Sequence, residues 1–221
     1  MAIEIYWGSG SPPSWRVLLG LEVKKIPYTS KMIEFSKKEH KTTEFLKMNP
    51  RGKVPVVRDG DFVLYESLAI LTYLDKKYPK PPLFGVTSEE AGKIMMAVSE
   101  ITSYLEPKLS KVTRPIYFNE VDQKRESILE AMPEVQKEFT LFDERLAKVP
   151  WLTGETLSVA DLFLFPDLQT MIRAAGKENA KSIDHGFEHW EKRFPGLFRW
   201  KKRMEAIPGY ENTYPPHWKN A

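Results

Sequence analysis

The 221-residue chain has no cysteine, which removes disulfides, thiolate metal sites and every mechanism in which a protein thiol is nucleophile or redox partner. Histidine is almost as scarce: His40, His185, His189 and His217 are the four, and none stands in an HExxH arrangement. His185-Gly186-Phe187-Glu188-His189 fits the inverted zinc pattern HxxEH, which on a helix sets the imidazoles one turn apart. Phe187, Trp190 and Phe194 would then form the opposite, apolar side, so both histidines are expected on a solvated face and no metal is assigned to them. No apolar run approaches 18 residues, and Met1-Ala2-Ile3-Glu4 lacks the basic region and apolar core of a signal peptide. The expectation is therefore a protein without a membrane span, located in the cytoplasm.

Charge of one sign is also in short supply. The net charge is only +3, with residues 1–80 carrying 14 Lys or Arg against 9 Asp or Glu and the remainder 19 against 21. These cations are scattered among acids, with no aromatic-interleaved stripe and no basic recognition helix, so no nucleic-acid partner is expected. A small anionic ligand needs only the modest focusing that a few positive groups in a cleft supply. A hydrophobic fraction of 42% with 29% charged residues is that of a folded globular protein, and the length allows two cores.

What is present divides at a run of prolines. Before it, strand and helix signals alternate: Ile3 to Trp7 as a strand, Trp15 to Lys25 as an amphipathic helix, Ile26 to Met32 extended, and Lys38 to Leu46 helical or irregular. Lys53 to Arg58 and Asp61 to Leu64 flank the turn pair Asp59-Gly60, a strong hairpin signal. From Glu66 to Tyr78 the period becomes helical, with Leu68, Leu71 and Leu74 turned inward. The implied topology is βαβ followed by ββα. Pro79, Pro81, Pro82 and Gly85 mark a linker at about 79–87, which separates a first domain at 1–80 from a second at 88–221.

The second domain reads as all helix. Ile94, Val98, Ile101 and Leu105 make one apolar stripe, and Ile128, Met132, Val135, Phe139, Phe142 and Leu146 another, with Pro133 expected to kink or divide its helix. Ser158-Val159-Ala160-Asp161 reads as a capping box with Leu157 and Leu162 as the staple, a structural device. The aromatics of Tyr210, Tyr214 and Trp218 are expected to pin the tail to the second domain.

The candidate chemistry begins at Gly8-Ser9-Gly10-Ser11-Pro12-Pro13-Ser14-Trp15-Arg16-Val17. Pro12 suits the first position of a helix and Ser11 its N-cap, so hydroxyls and backbone N–H groups gather at a positive helix end that suits an anion. Ser9 and Ser14 carry further hydroxyls beside Ser11, and Tyr6 lies in the presumed strand before it.

Three separated segments, WGSGSPPSWRV at 7–17, NPRGKVPVV at 49–57 with its DG turn, and YESLAILTYL at 65–74, resemble those of the cytosolic glutathione transferases. With TYPPHW at 213–218 the likeness is to a rho-like class with theta-class affinities, and it covers nearly the whole chain. It implies a thioredoxin-like first domain that holds glutathione as cosubstrate and an all-helical second domain that binds the electrophile, with no metal. Ser11 then corresponds to the hydroxyl that stabilises the thiolate. Glu66 and Ser67 correspond to the γ-glutamyl site, Val54 before a cis Pro55 to the backbone clamp on the cysteinyl residue, and Lys53 and His40 to the glycyl carboxylate.

The implied activity is conjugation of the thiolate to small apolar electrophiles by a homodimer, with Tyr104, Tyr117 and the terminal aromatics near the electrophile. The segment Ser14-Trp15-Arg16-Val17 also resembles the zeta-class sequence SSCSWRV, with Pro13 in place of cysteine, which implies glutathione-dependent isomerisation as an alternative. The remaining reading is a non-catalytic glutathione-fold ligand-binding protein.

Overall fold

The computed structural model describes residues 2–219. They fall into two compact units: the chain up to Leu83 together with the segment from Ala206 onward, and Phe84–Glu205. The first unit is built on β1 (Ile3–Trp7), β2 (Tyr28–Met32), β3 (Val56–Asp59) and β4 (Phe62–Tyr65), with α1 (Pro12–Val23), α2 (Thr43–Met48) and α3 (Ser67–Lys77) between or after them. The sheet order is β2-β1-β3-β4. β1 and β2 run parallel, and β3 lies antiparallel to both β1 and β4, so the expected βαβ–ββα topology is the one observed. Asp59 pairs with Phe62, which makes Gly60-Asp61 the two-residue hairpin loop, with Gly60 at φ +62°.

Strand polarity brings three loops to one edge. Tyr6 near the end of β1 pairs with Val56 at the start of β3, and Val56 pairs in turn with Tyr65 at the end of β4. The start of α1, the segment before β3 and the start of α3 consequently leave the sheet at the same end.

α1 is less amphipathic than its sequence suggests, for every residue from Ser14 to Leu21 is buried. Its C-terminal Lys24 is buried too, with Nζ 2.6 Å from Asp75 and 2.7 Å from the carbonyls of both Tyr78 and Pro81. A buried ammonium needs such a ring of oxygens, and this one anchors the proline-rich segment that follows α3. The Lys80–Pro81 and Val54–Pro55 bonds are both cis.

The C-terminal segment departs from expectation. It packs with the first unit, where the rings of Tyr210, Tyr214 and Trp218 stand 6.5, 5.8 and 5.4 Å from that of Trp15. The Trp15 indole N–H also donates to Thr213 Oγ1 at 2.9 Å. Aromatic burial against α1 therefore returns α10 (Tyr210–Thr213) and the turn Pro216–Trp218 to the first unit, whereas the boundary drawn on the sequence kept them with residues 88–221.

The second unit contains α4 (Ser88–Glu100), α5 (Glu106–Tyr117), α6 (Arg125–Leu146), α7 (Val159–Ala175), α8 (Trp190–Arg193) and α9 (Pro195–Glu205). Both expected stripes are buried. Pro133 does not divide α6, nor Pro166 α7; each removes one backbone donor, and the packed apolar faces carry the helix through. Pro107 has a larger effect. It has no N–H for the Ser103 carbonyl, and the helical ladder widens to a π-turn over Ile101–Leu105 before α5.

The capping box forms, with the Ser158 N–H 2.9 Å from Asp161 Oδ2. Asp161 also accepts from the Leu152 N–H and the Trp200 indole, both at 2.8 Å. Burial pushes its carboxyl up against these hydrogen bonds, so the box is also a buried polar junction of the helical unit. His185 corrects another expectation. It is buried, not solvated, and its Nδ1 accepts from the Phe187 N–H at 3.0 Å in an irregular segment, while His189 is exposed before α8. Among the described residues no group of three or more His, Asp or Glu is placed to hold a metal ion, and no helix is long and apolar enough to cross a membrane.

Candidate functional site

At the loop-bearing edge of the first unit lies a cleft of about 250 Å³, lined by Pro13, Asn49, Arg51, Lys53, Val54, Pro55, Glu66 and Ser67. Five of the residues singled out from the sequence thus meet in one place. Asn49 fixes the loop that carries the cations. It is buried at the end of α2, its side-chain amide donates to the Lys53 carbonyl at 2.7 Å, and its Oδ1 accepts from the Arg51 N–H at 3.0 Å. Gly52 closes the same turn at φ +57°, where a β-carbon would lie 2.7 Å from Lys41 Nζ.

On the opposite side Glu66 adopts φ +71°, rare for a residue with a side chain, and makes no side-chain cap to α3. Such backbone geometry costs about 1–3 kcal/mol and is held only where the surroundings impose it. The Glu66 carboxylate stands 3.9 Å from the Arg51 guanidinium. Ser67, buried at the first position of α3, contributes a hydroxyl and a first-turn N–H without an intrahelical partner, a place suited to a carboxylate. The cleft therefore offers a carboxylate for an ammonium and cationic or N–H groups for two carboxylates.

Ser11 is not among the residues that line this cleft, and loop Gly8–Ser11 approaches one of them, Val54, at Gly8. A β-carbon on Gly8 would lie 2.4 Å from the Phe35 ring and 3.2 Å from Val54 Cγ2. The donors at the start of α1 differ from those expected. Pro12 and Pro13 have no N–H, the Ser14 N–H goes to Ser11 Oγ at 3.4 Å, and the Trp15 N–H to the Ser11 carbonyl at 3.0 Å. Two prolines and a cap thus use up the first-turn backbone donors, which leaves the Ser11 hydroxyl as a donor at this helix end.

The other candidate acids have different duties. Ser14 is fully buried and its Oγ accepts from the Gly8 N–H at 3.3 Å. Ser9 Oγ lies 2.6 Å from His217 Nδ1. Tyr6 donates to Glu4 at 3.2 Å, and burial together with that carboxylate holds its phenol above the usual range. Arg16 is buried as well.

His40 is not among the residues lining the cleft. Its ring packs on Phe35 with centroids 5.1 Å apart, and Lys41 is the neighbour that reaches the loop, donating to the Gly52 carbonyl at 3.3 Å. In the helical unit, Tyr104 is exposed on a cleft of about 470 Å³ whose rim carries Glu100, Lys108, Glu138 and Arg145. Tyr117 spends its hydroxyl on the Thr170 carbonyl at 3.1 Å. Asn49 and Arg51 escaped the sequence reading as individual residues. Their one signal was Asn-Pro-Arg-Gly itself, in which Asn two residues ahead of a backbone donor is a turn former.

Residues 10–77 match the model described as glutathione S-transferase, N-terminal domain, and residues 105–208 the one described as glutathione S-transferase, C-terminal domain. The chain is 30% identical over 224 residues to glutathione S-transferase A of the plaice Pleuronectes platessa, covering 98% of this chain and 92% of that protein. It is 33% identical over 181 residues to glutathione S-transferase 1 of the carnation Dianthus caryophyllus, with 81% of each covered. The crystal structure of a glutathione S-transferase from the Antarctic clam Laternula elliptica superposes with a TM-score of 0.82 at 33% identity, over 100% of this chain and 95% of that one.

Proposed function

The chain belongs to the glutathione S-transferases, and from that premise we propose that it conjugates the glutathione thiolate to small apolar electrophiles, with Ser11 stabilising the sulfur anion. The observation that supports the reading is the use of the first-turn backbone donors at α1 within the protein, which leaves the Ser11 hydroxyl as the donor at that helix end. An unperturbed thiol of this kind has a pKa near 8.5, and lowering it by about two units takes roughly 2.7 kcal/mol of preferential anion stabilisation. One charge-assisted hydrogen bond and a helix N-terminus are of that size.

In this reading Glu66 holds the γ-glutamyl ammonium, and Ser67 with the α3 N-terminus holds its α-carboxylate. The backbone of Val54 pairs with the cysteinyl residue, and Lys53, joined by Arg51, meets the glycyl carboxylate. His40 stands with Lys53 for that carboxylate: its ring packs on Phe35, and its Nδ1 is buried without a hydrogen-bond partner. The thiol proton leaves to solvent, Ser11 donates its hydroxyl hydrogen bond to the sulfur, and the sulfur lone pair forms the carbon–sulfur bond while the electrophile's leaving group departs with its electron pair. Fixing the thiolate in place lowers the cost of bringing it to the electrophile.

The isomerase alternative rests on Ser14-Trp15-Arg16-Val17, buried in α1, and is weakened by Pro13 standing where the zeta-class pattern has cysteine. The terminal TYPPHW segment supports the rho-like class, and the assembly we propose is a homodimer, tested by sedimentation at micromolar concentration, where a persistent monomer counts against it. The function is tested with a panel of electrophiles that includes an aromatic halide and maleylacetoacetate, assayed with and without glutathione. Glutathione-dependent loss of halide supports conjugation. Turnover of maleylacetoacetate alone makes the protein an isomerase, and ligand binding without turnover makes it a binding protein.

A further inference from the structure

We propose that His217, close to the C-terminal end of the chain, is a positioning residue for the thiol-activating hydroxyl, acting on loop Gly8–Ser11 through Ser9 and Gly10. The inference rests on Ser11 being that hydroxyl. Its ground is a contact between residues 208 positions apart: Ser9 Oγ lies 2.6 Å from His217 Nδ1. The imidazole also covers Gly10, where a β-carbon would stand 2.8 Å from Cε1 and 3.3 Å from Nε2, with Trp218 Nε1 at 3.4 Å. Gly10 therefore meets two demands, a φ of +76° and room for the imidazole. From inside, the loop is held by the Ser14 hydroxyl on the Gly8 N–H and by the Ser11 N–H on the Gly8 carbonyl at 3.1 Å. From outside, His217 and Trp218 lie against it.

The segment carrying His217 is anchored without it. Thr213 Oγ1 accepts from the Trp15 indole and donates to the Tyr210 carbonyl at 2.7 Å, and three aromatic rings surround Trp15. His217 itself is exposed, and a change there removes the Ser9 hydrogen bond and the cover over Gly10, while the contacts of the segment with Trp15 do not involve its ring. The sensitive quantity is the aim of the Ser11 hydroxyl, because a hydrogen bond weakens steeply once its angle opens.

The full-length chain is prepared as His217→Ala, His217→Asn, Ser9→Ala, the double variant Ser9→Ala/His217→Ala, and Ser11→Ala. For each, the thiolate of bound glutathione is titrated by ultraviolet absorbance, kcat and KM are measured across pH, and melting confirms the fold. His217→Ala is expected to raise the apparent pKa of the bound thiol and lower kcat at neutral pH about three- to tenfold, with KM for glutathione nearly constant. His217→Asn, which keeps a hydrogen-bonding group for Ser9, is expected to restore most of the loss. The double variant should be no worse than the His217 single variant, since both changes break one contact.

A wild-type pH profile in folded His217→Ala, alongside a shifted profile in Ser11→Ala, overturns the proposal and leaves the Ser11 reading standing. Wild-type profiles in both overturn both. A shift in His217→Ala without one in Ser11→Ala also overturns both and makes Ser9 the activating hydroxyl.

Discussion

The side-chain amide of Asn49 donates to the carbonyl of Lys53 at 2.7 Å, from a position that is 2% exposed. A residue that touches no ligand in the proposed reading thereby sets the loop on which Arg51 and Lys53 stand. Asn49→Ala leaves the Lys53 carbonyl and the Arg51 N–H without their partners, at a cost of about 1–3 kcal/mol. The expected outcome is a lower urea midpoint together with weaker glutathione binding, read by chemical denaturation and calorimetry. Stability lost with affinity unchanged would detach the loop from the site.

Ser11→Ala is expected to reduce transfer at neutral pH by roughly 10- to 1000-fold, which corresponds to about 1.4–4 kcal/mol of transition-state stabilisation. The pKa of the bound thiol should rise in parallel while much of the glutathione affinity persists. Loss of the cap costs about 1 kcal/mol of stability, so rates are compared well below the melting range. Unchanged thiol titration and turnover in the folded variant would move the activating role to Ser9, Ser14 or Tyr6.

Lys53→Ala removes an exposed cation from the cleft and leaves the Val54 backbone intact. Its effect should fall on binding, weakening glutathione by about 5- to 30-fold (~1–2 kcal/mol) with kcat nearly unaltered. Calorimetry with glutathione and with an analogue lacking the glycyl carboxylate provides the check. If both ligands lose affinity equally on mutation, Lys53 does not meet that carboxylate.

His185 makes acid stability the fourth test. Burial holds its imidazole below the ordinary value of 6.5, and its Nδ1 accepts the Phe187 N–H only while that nitrogen is unprotonated. The unfolded chain takes up the proton as pH falls through 6.5 and the folded chain resists it, so this contribution is complete above that pH and is lost on acidification until the folded group also protonates. In His185→Asn the side-chain oxygen can accept from the same N–H two residues on, without titrating. Urea unfolding at a series of pH values should therefore show a flatter acid limb for the variant, and identical limbs would mean that His185 does not contribute.

Elements written into local spacing were legible in the residues alone. β1, the hairpin of β3 and β4 (its loop one residue later than the Asp59-Gly60 pair expected), the two apolar stripes of the helical unit and the Ser158–Asp161 box each follow from neighbours within a few positions, where period and capping chemistry act directly. The gathering of Lys53, Val54, Pro55, Glu66 and Ser67 was legible only through family likeness, because it depends on the antiparallel pairing of β3 with β1 and β4. Tertiary structure decided what no local rule contains. His185 became buried because the segment before α8 is not helical, and the terminal aromatics joined Trp15 because that ring offered the apolar surface they lacked. Contacts such as Ser9 with His217 and Asn49 with Lys53 join groups whose meeting depends on the path of the whole chain. The sequence by itself determined which segments are helix, strand or cap, since those energies are settled within a turn or a strand pair. Which side chains face one another across the site was decided by packing over long separations.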